Sequence, residues 1–533
     1  MISMLKISAR TSLVMALFLG SVHLSAAEVV LNRGNGAEPE TLDVHKSSGV
    51  PESFIQFDLF EGLLAPDAQG KPIPGAAESW TVSDDGKTYT FRLRADGKWS
   101  DGTPVTAHDF VFSWQRLLDP KTASDYAFFL DPVVNATDIR NGRKKPEELA
   151  AKALDDHAFE VRLNAPAPYF LSMLVHHSTY AISKANYEKF GDEYVKPGNL
   201  VSNGAYTLAE AVPQSHIKVV RNPLFHDAAN VKIDTVMYYP TEDLDSELQR
   251  FKAGELDYTY EIPSSQMPAL KKSMPDQVHI APYFGTYFYA FNLTHEPWKS
   301  NPDLRKALSL AVDREILIEK VTQQSQIPAF SFVPPGTDNF ARWEPEDAGL
   351  TQAERDAKAK ALIARAGYGP DRPLTLEILY NTSDNHKKVA IAIAAMWKQK
   401  LGVDVTLHNE EWATFLNSRD KKTFQDLARH GWIGDFNDAV SFLDLQRCDV
   451  GDQSTSGYCN PKFDELMAAA SREADLEKRA RILQEAEKIM IADLPIIPLY
   501  FYTYHHMVSP AVKGWDDDNI QDYHSSRWLS VER

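Results

Sequence analysis

LTLEILYNTSDNHKKVAIAIAAMWKQKLGVDVTL, residues 374–407, sets the fold class. Leu374, Leu376 and Ile378 alternate with Thr375 and Glu377, as in a half-buried strand. Ser383 or Asp384 can cap a helix running to about Lys400, and Gly402 breaks it. Val403, Val405 and Leu407 then alternate again. A strand, helix and strand of these lengths form a βαβ unit, whose strands run parallel. The predicted class is α/β. Ligands of open α/β sheets bind outside the carboxyl ends of the strands. His386 lies just past the end of the first strand, near the helix start.

The flanking sequence supports this reading. Upstream, Thr351 and Glu354 form a capping-box pattern, and the helix they open should stop at Gly367. Downstream, Leu476, Ala480, Leu483 and Met490 fit a helical core stripe. RHGWIGDFND, residues 429–438, packs two Asp, an Arg and a His among aromatic and small residues. It should lie on a strand ending near Trp432 and face the same cleft as His386. Nearer the N-terminus, the turn at 84–87 precedes Tyr89, Phe91 and Leu93, which alternate as a strand. A second turn, Asp101-Gly102-Thr103-Pro104, leads into a helix from Thr106 through Trp114.

The first 27 residues read as an export signal. Lys6 and Arg10 give a basic start, Thr11–Gly20 a short apolar run, and Ser25-Ala26-Ala27 small residues for cleavage before Glu28. No later stretch has the roughly 20 apolar residues of a spanning helix. The rest allows about three domains at roughly 150 residues each. A net charge of −18 argues against nucleic acid and anionic membrane as partners. The only cysteines, Cys448 and Cys459, flank a polar, Gly-containing segment. In an exported protein they read as one disulfide; metal ligation and two free thiols are the alternatives.

Enzyme signatures are missing. There is no Gly-x-Ser-x-Gly elbow, no His-Glu-x-x-His and no complete phosphate loop, since Thr81 stands where Gly86-Lys87-Thr88 would need a glycine. The pairs His176-His177 and His505-His506 should point apart, which disfavours a metal site. No cofactor is expected. Some of the 74 acidic residues could meet as a hydrolytic pair, but no motif selects one.

One long stretch, AAESWTVSDDGKTYTFRLRADGKWSDGTPVTAHDFVFSWQRLLDP (76–120), resembles the signature region of the family 5 extracellular solute-binding proteins. The likeness continues through LVSNGAYTL (200–208), GELDY (254–258), LRKALSLAVDR (304–314), ILYNTSDNHKK (378–388) and EWATFLNSRD (411–420). The oligopeptide-binding branch is the nearest match. The resemblance implies a type II periplasmic-binding-protein architecture: two hinged, discontinuous lobes and an extra inserted domain. Lobe I would be 28–60, 186–284 and 503–533, the inserted domain 61–185, and lobe III 285–502.

The resemblance also assigns roles. Asp435 matches the carboxylate that receives a peptide's α-amino group, and Arg429 the guanidinium that reaches its C-terminal carboxylate. Trp432 matches an aromatic wall, and His386 a contact for C-termini of another length. Val50, Tyr126, Trp412 and Arg419 fall on other cleft positions. Thr322 stands where close relatives carry a Lys, Ser48 where they carry a Glu, and Gly285 and Ile433 where they carry a long-range disulfide. The local cysteine pair looks like the dipeptide-binding branch.

The chemistry stands independently. Two peptide charges leaving water each need an opposite charge and hydrogen bonds, which Asp and Arg supply. A surface turn for Asp435, and a surface pairing of Arg429 with Asp426 or Asp435, are the structural alternatives. The expected protein is a monomeric, non-catalytic periplasmic receptor. It passes short peptides to an ABC permease with its ATPase subunits. A receptor for another solute, such as a cell-wall peptide or a metal chelate, and a secreted hydrolase are the competing readings.

Overall fold

A computed structural model describes residues 28–533; the expected export signal lies outside the described residues. The βαβ unit is present. Strand Thr375–Asn381 runs parallel to Asp404–Glu410 in full register. Helix Asp384–Leu401 connects them, capped by the Ser383 side chain, which accepts from the His386 amide. Gly402 ends the helix in the left-handed conformation, at φ 73°.

This unit is one flank of a six-stranded sheet. Strand Leu427–Ile433 lies parallel to Thr375–Asn381 on one side and antiparallel to the long strand Val278–Phe291 on the other. The Val278–Phe291 strand pairs along its length with Ile496–Met507, with register breaks between Pro282 and Thr286 and between Tyr287 and Phe288. Strand Ile327–Pro328 closes the far edge. Helices Pro302–Ala311, Gln352–Arg365 and Asp384–Leu401 contribute Leu304, Leu308, Leu362, Ile393 and Trp397 to the core against this sheet. The buried Trp397 indole donates to the Leu308 carbonyl at 2.9 Å, so its polar atom goes in satisfied.

Two further four-stranded sheets form the N-terminal half. One orders Val30–Gly34, Thr235–Tyr239, His216–Arg221 and Tyr206–Val212. The other orders Ala77–Val82, Thr88–Leu93, Ala158–Arg162 and Ala151–Asp155, and Tyr89, Phe91 and Leu93 face its core as alternation predicts.

Several expectations need adjustment. The helix opened by Thr106 runs on to Leu118, because Leu117 and Leu118 are buried and nothing breaks the chain before Asp119. Leu476 begins helix Leu476–Asp493 but is 41% exposed; the stripe buries Ala480, Leu483 and Met490 only. His176 and His177 do not point apart: they sit where a tight turn begins, with ring centroids 4.1 Å apart. Cys448 and Cys459 form a disulfide.

Candidate ligand-binding cleft

Strand Leu427–Ile433 and the loop beyond it build the centre of the cleft. Two glycines let other groups approach this strand. A Cβ on Gly431 would stand 2.4 Å from the Tyr502 hydroxyl, and one on Gly434 would stand 2.4 Å from the Phe284 ring. These contacts account for the mixture of small and bulky residues in 429–438. Gly285 lies directly across from Ile433, whose side chain fills the space a Cβ on Gly285 would need.

The cleft has two adjoining chambers, which share Val50, Trp412 and Arg429 in their walls. The larger encloses about 1060 Å³, open mouth included, and is lined by Val50, His386, Trp412 and Arg429 among others. The smaller encloses about 730 Å³ on the same basis and is lined by Val50, Tyr126, Trp412, Arg419, Arg429, Trp432 and Asp435. All eight residues selected from the sequence therefore face one cleft. Ser48 lines the smaller chamber. Thr322 is buried instead, bonded to Gln326 and the Ile318 carbonyl.

Asp435 is 7% exposed. Its Oδ1 accepts from the Tyr126 hydroxyl at 3.2 Å, and its Oδ2 from the Ser441 hydroxyl at 3.4 Å. His176 Nε2 lies 3.3 Å from Oδ1. Burial holds His176 neutral, well below its ordinary range, and its Nδ1 accepts the Ser178 amide, so the ring proton sits on Nε2. Every donor around Asp435 is thus neutral. Among the described residues no Lys or Arg nitrogen comes within 4.0 Å of it. Burial pushes its carboxyl up to about 8, against the Tyr126 and Ser441 hydrogen bonds.

Arg429 is the opposite case. Its guanidinium donates to Asn381 Oδ1 at 3.3 Å and to the Tyr502 hydroxyl at 2.8 Å, and lies 4.9 Å from the Tyr287 ring centroid. Its Nε is buried without a partner. It pairs with neither Asp426 nor Asp435; Asp426 accepts from the Trp298 indole and the Glu377 amide instead.

The remaining residues shape the walls. Trp432 is fixed by its indole, which donates to the Ser441 carbonyl at 2.7 Å, and it stacks near Tyr126. Trp412 opens helix Trp412–Asp420 and stacks on Phe415, leaving its indole nitrogen unpartnered. Arg419 is held by Asp420 at 2.6 Å. Val50 starts helix Val50–Leu59. His386 touches the Tyr287 hydroxyl at 3.4 Å; burial, aided by the Arg429 charge, keeps it neutral. Sequence reasoning missed Glu261 and Tyr502, and weighed His176 only as half of a metal-binding pair. Glu261 and Tyr502 come from distant segments that meet only in the fold, no local motif marks either, and the adjacent histidine pair at 176–177 does not point to Asp435.

Comparison with known proteins identifies the family. Residues 71–454 match the model for bacterial extracellular solute-binding proteins, family 5 middle region. The periplasmic oligopeptide-binding protein OppA of Salmonella typhimurium is 46% identical, over 92% of this chain and 90% of its own. The structure of the Escherichia coli murein tripeptide binding protein MppA superposes with a TM-score of 0.93 at 40% identity, covering 95% of this chain and 99% of that one. Haemophilus influenzae OppA in complex with the peptide RPPGFSPFR gives 0.92 at 40% identity, over 95% and 100%. The unliganded open form of MppA, with the same identity and covering 95% and 98%, gives only 0.67. The lobes of this chain are thus arranged unlike that open form. The chain belongs to the bacterial extracellular solute-binding proteins of family 5.

Proposed function

We propose that this chain is a periplasmic receptor that captures short peptides by both charged termini and delivers them to a membrane ABC permease. It performs no chemistry on its ligand. The observation that carries this reading is the pairing of two incomplete charges in one cleft. Asp435 is a buried carboxylate without a cation, and Arg429 is a buried guanidinium without an anion. A zwitterionic peptide completes both. Val50, Tyr126, Trp412, Arg419 and Trp432 would serve as walls, and His386 as a contact for a differently placed carboxylate. Walls of this kind, with trapped water, admit varied side chains.

The proposed lobes are 28–60, 186–284 and 503–533 on one side and 285–502 on the other, with 61–185 inserted. In support, both crossover points, near 284 and near 502, fall within the two long paired strands Val278–Phe291 and Ile496–Met507. Closure would then be a population shift favoured by ligand contacts with both lobes. Native mass spectrometry of protein purified from the periplasm tests the function. Bound intact peptides of two to five residues are expected; a non-peptide solute, or cleavage of added peptides, would overturn it.

A further inference from the structure

The cleft holds a second carboxylate with donors arranged like those of Asp435, though its side chain is 24% exposed where that of Asp435 is 6%. Glu261 faces the larger chamber together with Arg429. Its Oε1 accepts from Asn385 Nδ2 at 2.7 Å, and His505 Nε2 lies 3.5 Å from the same oxygen. His505 repeats the arrangement of His176. Its Nδ1 accepts a backbone amide, from Ile262, which leaves the ring proton on Nε2, and burial holds the ring neutral. No described donor reaches Glu261 Oε2. Among the described residues no Lys or Arg nitrogen comes within 4.0 Å of this carboxylate.

Two carboxylates in one cleft therefore share a design. Each is oriented by neutral donors, braced by a buried histidine, and left without a cation. The first is already matched to an α-amino group in the proposed function, and the inference rests on that reading. The second lines the larger chamber and Asp435 the smaller, with Arg429 in the walls of both, so the two carboxylates face different parts of a bound peptide. Arg429 does not discharge it by direct pairing. Its open oxygen asks for a hydrogen-bonding cation near the place where a peptide's carboxylate would sit.

We infer that Glu261 is a specificity-determining residue that selects peptides whose C-terminal residue carries a cationic amine side chain. Lysine, ornithine and related diamino acids have this chemistry: a carboxylate for Arg429 and, several bonds away, an ammonium for Glu261. The ligand class would be short peptides with two ammonium groups, one at each end.

Calorimetry tests this with Ala-Ala-Lys and Ala-Ala-norleucine, which differ only in the terminal ammonium. The lysine peptide is expected to bind on the order of ten- to a hundred-fold tighter, the usual worth of a hydrogen bond to a charged group. In Glu261→Gln, which keeps the side-chain shape, that ratio should collapse toward one. Equal affinities in the unmodified protein would overturn the inference and leave the peptide reading standing. A preference that survives intact in Glu261→Gln would overturn the role of Glu261. Failure of both peptides to bind would overturn the peptide reading itself, and this inference with it.

Discussion

Asp435 and Arg429 are both charged residues buried in the wall of one cleft, yet the fold treats them differently. Around Asp435 it supplies hydroxyls and a neutral imidazole but no cation, and burial pushes the carboxyl up to about 8. Around Arg429 it supplies an amide oxygen, a phenol oxygen and the face of Tyr287. A guanidinium is weakly hydrated, stacks on rings and keeps its proton, so it tolerates burial as a charge. A carboxylate does not, and it takes up a proton unless a cation arrives. The Arg429 end is charged whether or not the cleft is filled. Below about pH 8 the Asp435 end of the closed, empty cleft is mainly protonated, and a ligand's ammonium restores its charge.

Breaking the Asp435 end should have the largest effect. Asp435→Asn keeps the shape and removes the charge, leaving the peptide ammonium buried without a partner. A loss of about 3–5 kcal/mol, several hundred-fold or more in affinity, is expected by calorimetry. Arg429→Met should cost less, about 2–3 kcal/mol. The loss should also be uneven, greatest for the shortest peptides and smaller where the carboxylate reaches past Arg429 toward His386. A peptide series of two to five residues, measured on this variant, resolves the difference. Tyr126→Phe removes one of the neutral donors that hold Asp435, and should weaken binding by about 1 kcal/mol.

The same contrast has a pH signature without any ligand. In an open cleft Asp435 would meet water and titrate in the ordinary carboxylate range. In the closed cleft it titrates near 8. The closed form therefore binds the extra proton, so closing is favoured as pH falls from about 8 toward 4 and opposed as pH rises. X-ray scattering of ligand-free protein should show the radius of gyration falling across this window. Asp435→Asn should be more compact at pH 8 and should lose the part of the pH response that belongs to Asp435. A response identical in the two proteins would show that Asp435 does not set it.

Much of this was legible in the sequence, for identifiable reasons. The βαβ unit at 374–407 carried its own periodicity, cap and breaker, so its parallel pairing followed locally. The residues 429–438 advertised a site because charge, aromatics and glycine coincide there. The glycines turned out to admit Tyr502 and Phe284. Long-range partners were another matter. Nothing near Glu261 says that Asn385 and His505 will meet it, and nothing near Asp435 says that His176 will. Leu476 fitted the helical stripe yet stays exposed, because the first turn of its helix overhangs the core. Periodicity reports which face of a helix is apolar, not where along its length the neighbouring element stops.

The most direct test of two-ended capture is calorimetry on one tripeptide in four forms: free, N-acetylated, C-amidated and doubly blocked. The account predicts that acetylation weakens binding several hundred-fold or more, that amidation weakens it by about 30- to 150-fold, and that the doubly blocked form shows no measurable binding. Affinities within threefold of one another across all four forms would contradict it.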